Sequence, residues 1–147
     1  MKNHHRRVRL AVIVALTLAA TVVVVETSRA SIGNVSKSDL AGAWQGVFFG
    51  DTGCGTSTEV FDFTLNANGS GTANATYHTA GCGDGTARGL PITITSLNSN
   101  GSGTANLSCG TGCGFNFSIQ VSPDRSTFNL VDVSDLGNYL QGTAVHQ

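Results

Sequence analysis

A ten-residue block occurs twice in this chain. Leu65-Asn66-Ala67-Asn68-Gly69-Ser70-Gly71-Thr72-Ala73-Asn74 returns 32 residues later as Leu97-Asn98-Ser99-Asn100-Gly101-Ser102-Gly103-Thr104-Ala105-Asn106, changed only at its third position. Each copy sets Asn-Gly between extended runs, and Asn and Gly tolerate the positive φ angles that tight hairpin turns require. Each block therefore predicts a strand, a turn and a returning strand. Two copies are too few for a solenoid, so the spacing fits two successive hairpins of one sheet.

Alternation places the other strands. Phe61, Phe63 and Leu65 share one face opposite Asp62 and Thr64; Ala73, Ala75 and Tyr77 alternate with Asn74, Thr76 and His78; Phe115, Phe117, Ile119 and Val121 alternate with Asn116, Ser118 and Gln120. A period of two marks half-buried strands. The same reading along the chain predicts eight strands, near 43–49, 57–65, 71–79, 88–97, 103–109, 113–121, 126–133 and 138–146. Long helices are disfavoured by 19 Gly and abundant Thr, Ser and Asn in 147 residues, a composition that favours turns and extended chain. Short connections join antiparallel neighbours, and eight strands of this length close into a barrel without exposed edges. The expected fold is all-β, an eight-stranded antiparallel up-and-down meander barrel after an N-terminal signal segment. Pro91 dissents: lacking an N–H, it must mark a strand start, a bulge, or a place where the barrel is open.

The N-terminus reads as an export signal. Lys2, Arg6, Arg7 and Arg9 precede an unbroken apolar or Thr run over 10–25, and Ser28-Arg29-Ala30 offers small residues where a signal peptidase cuts. Residues 1–30 are thus expected to be a signal peptide, or else an uncleaved N-terminal anchor, 31–39 a flexible N-terminal segment, and 40–147 the barrel domain. The mature form is expected to have no membrane span and to be secreted, periplasmic or held at the cell surface. Beyond residue 30 the chain keeps Lys37, Arg88 and Arg125 against eight carboxylates, a net charge of −5. With no basic cluster outside the leader, nucleic acid is not an expected partner.

Strand parity sorts the loops by end. The loops after strands two, four and six lie at the base with Trp44; those after one, three, five and seven form the opposite rim. Gly53-Cys54-Gly55, Gly81-Cys82-Gly83 and the run from Cys109 to Cys113 all fall on that rim, and an oxidising compartment makes disulfides the default for Cys54, Cys82, Cys109 and Cys113. Cys109 and Cys113 face each other across one turn, which leaves Cys54 with Cys82; Cys54–Cys113 with Cys82–Cys109 is also a same-rim solution. A zinc site would need paired C-x-x-C knuckles, which are missing, so no metal or cofactor is expected. The sixth loop also brings Arg125 to the base, where its guanidinium is expected on the face of a buried Trp44.

Leu40-Ala41-Gly42-Ala43-Trp44-Gln45-Gly46 stands at the head of the first strand of this meander. Gly42-Ala43-Trp44 in that setting resembles the Gly-x-Trp opening of the lipocalin and wider calycin barrels. The motif covers three residues and the topology most of the mature chain. Lipocalins are larger and add a C-terminal helix and an Arg in the last strand; here there is no such helix pattern, and His146 stands where the cation would be sought. The resemblance implies a barrel that holds small apolar ligands, with Trp44 closing its base.

Catalytic signatures are sparse. Only His78 and His146 remain beyond the leader, and no Gly-x-Ser-x-Gly elbow or H-E-x-x-H helix accompanies them. No catalytic residue is assigned, and an enzyme is the less favoured class. The expected function is an exported barrel that binds a small apolar molecule at its mouth, with Tyr77 and His78 as candidate contacts. The alternative is a structural or protein-interaction module with a filled core. Interior volume separates the two, since a cavity above about 300 Å³ favours a ligand.

Overall fold

A computed structural model of the chain describes residues 33–134 and 139–147. The leader assigned to 1–30 lies outside the described residues. A single 3₁₀ turn, Lys37–Leu40, leads into eight strands: β1 Gly42–Asp51, β2 Thr56–Leu65, β3 Ser70–Thr79, β4 Gly83–Leu97, β5 Ser102–Gly110, β6 Cys113–Val121, β7 Thr127–Asp132 and β8 Tyr139–His146. Every neighbour is antiparallel in chain order, and β8 pairs back on β1 to close the barrel. Among the described residues no helix is long and apolar enough to cross a membrane.

The period-two pattern builds this ring directly. Along β2 burial alternates at every residue, so Ser57, Glu59, Phe61, Phe63 and Leu65 point inward while Thr58, Val60, Asp62 and Thr64 face out. The repeated blocks form the β2–β3 and β4–β5 hairpins and share their turn hydrogen bonds, to which the second adds Asn98 Nδ2–H donating to Ser102 Oγ. Asn66 N–H donates to Ser70 O and Asn98 N–H to Ser102 O, both at 2.8 Å. Asn68 Oδ1 accepts from Ser70 N–H as Asn100 Oδ1 accepts from Ser102 N–H. Gly69 and Gly101 hold the left-handed position, φ 84° and 83°. Gly71 and Gly103 answer a different demand: a Cβ there would lie 1.9 Å from Thr64 O and 2.2 Å from Ser96 O, across the ladder.

β4 departs from expectation. It runs 15 residues and begins at Gly83 rather than near 88. The register slips between Ala73↔Leu90 and Ala75↔Ala87, an extra residue on β4 that breaks the alternation and hides the strand's first half from a period-two reading. Pro91 sits just past this bulge. Its place in β4 also coincides with a limit of pairing: the β4–β5 ladder starts only at Ile92↔Leu107 and runs toward the base. Rimward of Ile92 the two strands carry no ladder.

The base is filled. Trp44, 1 % exposed, packs against Phe63 and Phe128 with centroids at 6.1 and 5.3 Å, and its Nε1–H donates to Leu40 O at 2.9 Å. Within the segment ahead of the barrel, residues 33–39 make defined contacts at the base. Val35 is buried, as is Leu40 after it, and Val35 N–H donates to Ser99 O while Lys37 Nζ donates to Ile94 O. Fully burying a leucine contributes about 1.5–3 kcal/mol, so Leu40 anchors this segment as a plug. The plug also redirects Arg125. Instead of covering the indole, its guanidinium faces Asp39, with Nε 3.4 Å from Oδ2, and donates to Asn34 O. The ring over Trp44 is that of His146, at 4.7 Å. Arg125 itself occupies the left-handed region, φ 62°, in a turn whose other groups bond to Asp124.

Candidate functional site at the barrel rim

The rim is stapled by two disulfides, Cys54–Cys82 and Cys109–Cys113, with Cα separations of 5.5 and 5.1 Å. The first ties the β1–β2 loop to the β3–β4 loop; the second spans the β5–β6 turn. Below them the barrel interior is not filled. A cavity of about 340 Å³ opens at this end, walled by Phe61, Leu90, Leu107 and Phe115, with Tyr77 and Glu59 among its polar contacts and all four cysteines around its entrance. Small side chains help make the space: Ala75 on β3 and Ala87 on β4 line it, Ala87 on the strand that carries Ile92 and Ile94 nearer the base. The unpaired stretch between β4 and β5 borders the same cavity through Leu90 and Cys109.

Glu59 is the unusual member. It is inward on β2 between Ser57 and Phe61, and only 8 % exposed. Ser57 Oγ–H donates to Glu59 Oε1 at 2.9 Å. Burial pushes its carboxyl above the ordinary glutamate range, and the Ser57 hydroxyl bond offsets part of that shift. The three described cations lie elsewhere. Lys37 reaches Ile94 O, Arg125 faces Asp39, and Arg88 is exposed beside Asp62 and Asn74 on the outer surface.

Of the two contacts expected from sequence, the structure brings one to the cavity. Tyr77 lines it, its hydroxyl lying over Gly85 so closely that a Cβ there would be 2.4 Å away. His78 follows on the outward face of β3 and pairs through Nδ1 with Asp84 across the β3–β4 ladder, both side chains at least 70 % exposed. It belongs to a shallow outer groove with Val47, Thr58, Val60 and Thr76. That groove is larger, about 530 Å³, but it lies along the barrel's outer wall, whereas the rim cavity is lined by inward-facing core residues such as Phe61 and Leu107. Glu59 was not singled out from sequence, though extending the Phe61/Phe63/Leu65 face by one step already points it inward.

No family model and no curated protein matches this chain. The closed eight-stranded antiparallel barrel is compatible with a calycin-like fold, and the site must be read from its own chemistry. Its walls can desolvate an apolar body and its carboxylate can orient one polar group. Neither described histidine reaches it, since His78 is outside and His146 lies at the base. Among the described residues no three His, Cys, Asp or Glu side chains gather as metal donors.

Proposed function

We propose that this chain is an exported, non-catalytic barrel that holds a small, mainly apolar molecule in the cavity at its rim. The cavity of about 340 Å³ carries the reading, because it falls within the range of small-molecule sites while the opposite end is packed by Trp44 and plugged by Leu40. Two disulfides agree with an oxidising compartment, and the basic, apolar, small-residue order of 1–30 supports passage into it. A second reading has one observation in its favour. Val47, Phe49, Val60, Val131 and Tyr139 are exposed apolar side chains on the outer face of β1, β2, β7 and β8, as an interaction module would present.

The neutral fluorophore N-phenyl-1-naphthylamine separates them, since its lack of charge avoids repulsion by an acidic protein. Expected is a saturable one-to-one fluorescence rise, with amide shifts at Phe61, Leu107 and Phe115, abolished by Ala75→Trp, which fills the cavity. No saturable binding, or shifts confined to Val47 and Phe49, would overturn the ligand reading.

A further inference from the structure

We infer that the guest of the rim cavity carries a protonated amine, which Glu59 receives as its counter-ion. This rests on the small-molecule reading of the cavity and names the chemical class it selects.

Among the described residues Glu59 has no cationic partner. A carboxylate 8 % exposed in a largely apolar wall loses most of its hydration. One hydroxyl bond from Ser57 returns part of it, and the described cations are all committed elsewhere, Lys37 and Arg125 to the base and Arg88 to the outer surface. Buried carboxylates are otherwise paired with cations. A ligand that brings the cation completes the pair; a neutral ligand leaves the carboxylate further dehydrated, and an anionic one meets repulsion.

The surroundings fit an organic ammonium rather than a bare ion. Phe61, Tyr77 and Phe115 line the same cavity as Glu59, and aromatic faces attract ammonium groups through their negative π-surfaces. Leu90, Leu107, Ala75 and Ala87 offer the remaining wall to a hydrocarbon or aryl body. A metal ion would ask for several hard donors, and among the described residues no such group of acidic, His or Cys side chains exists. The net charge of −5 beyond the leader draws cations toward the protein.

Matched pairs test this: tryptamine with tryptophol, phenethylamine with 2-phenylethanol, and hexylamine with 1-hexanol, each measured by calorimetry and by displacement of N-phenyl-1-naphthylamine. In each pair only the ammonium is exchanged for a hydroxyl. The amines are expected to bind about ten- to a hundredfold more tightly than their alcohols, the range of a charge-assisted hydrogen bond. Glu59→Gln is expected to abolish that preference while still binding the fluorophore and the alcohols, which also shows that the variant is folded. Tyr77→Leu should reduce the preference without removing it. Equal binding of amines and alcohols by the native protein, or a preference that survives in Glu59→Gln, overturns the amine inference and leaves the cavity reading standing. If the fluorophore and every member of the pairs fail to bind, the cavity reading falls and this inference with it.

Discussion

Replacing Cys54 and Cys82 together by serine unlinks the β1–β2 loop from the β3–β4 loop without removing any strand. The cysteines are 28 residues apart in sequence, so opening the bridge returns a loop of that length to the unfolded chain. The chain-entropy relation gives a loss of about 3.5 kcal/mol. For Cys109 and Cys113, four residues apart, the same relation gives about 2 kcal/mol. Both bridges sit on one rim and both pairs line one cavity, so the difference between them isolates loop length. Urea unfolding followed by Trp44 fluorescence reads the difference. With a slope near 1.5 kcal/mol/M, typical of a small domain, the midpoint should fall by roughly 2.3 M for Cys54→Ser/Cys82→Ser and roughly 1.3 M for Cys109→Ser/Cys113→Ser. The slope should also steepen more in the former, whose unfolded chain expands further. A short-loop variant that loses as much as the long-loop variant would show that these bridges act on the folded rim and not on the unfolded chain, and would refute the reasoning.

Gly71→Ala and Gly103→Ala should each cost more than about 2 kcal/mol, since the new Cβ meets a backbone oxygen at 1.9 or 2.2 Å and the ladder must shift; a thermal shift of less than a few degrees would contradict the close approach. Glu59 has its pKa raised by burial in the fold. Its share of stability is therefore full below the ordinary glutamate value and is lost as pH rises through the raised one. Glu59→Gln should melt higher than the native protein at pH 7, with the gap closing by pH 4, and a gap that widens on acidification would reverse the sign. Asp124 is held at about 2 by the hydroxyls of Ser122 and Ser126 and the Ser126 amide, against an ordinary 3.8. Its contribution is complete above 3.8 and lost as pH falls through about 2. Asp124→Asn should flatten the acid limb of the stability profile between those values, and a carboxyl carbon titration of Asp124 by NMR checks the midpoint.

The parts of the barrel that could be read from sequence are those in which local chemistry repeats. Asn68-Gly69 and Asn100-Gly101 announce two turns, and the faces Phe61/Phe63/Leu65 and Phe115/Phe117/Ile119 announce two strands, because pleating and turn geometry are short-range properties. Parity, which carries local alternation to the ends of the barrel, brings all four cysteines to one rim, and the short turn between Cys109 and Cys113 favours the pairing found over its same-rim alternative. What escaped was non-local. The bulge that shifts Ala87 against Ala75 interrupts the very pattern used to find β4. The plug is a four-residue turn too short for periodicity; its one local sign is Ser36 with Asp39 three residues on, whose carboxylate accepts from Ser36 N–H and Oγ–H. That plug presents Asp39 to Arg125 and so moves the guanidinium off the indole. Adjacent residues of a strand point to opposite faces, so of the candidate contacts Tyr77 and His78 only Tyr77 can enter the cavity.

Closure of the ring by β1 and β8 makes one seam unlike the other seven. Seven pairings join consecutive strands, whereas Trp44 meets His146 across nearly the whole described chain. In an unstructured chain, bringing ends about 100 residues apart together costs about 2.5 kcal/mol more than closing a hairpin loop of about five, which slows that encounter by roughly two orders of magnitude. Hairpins formed beforehand shorten the effective loop, so the meander favours a sequence in which they zip first and the seam closes last. Until then Val47, Phe49, Leu140 and Val145 stand on two unpaired edges. The interval before the first strand finds the last is the chain's period of exposure to self-association, and a rise in aggregation with the concentration of refolding chain is its kinetic signature.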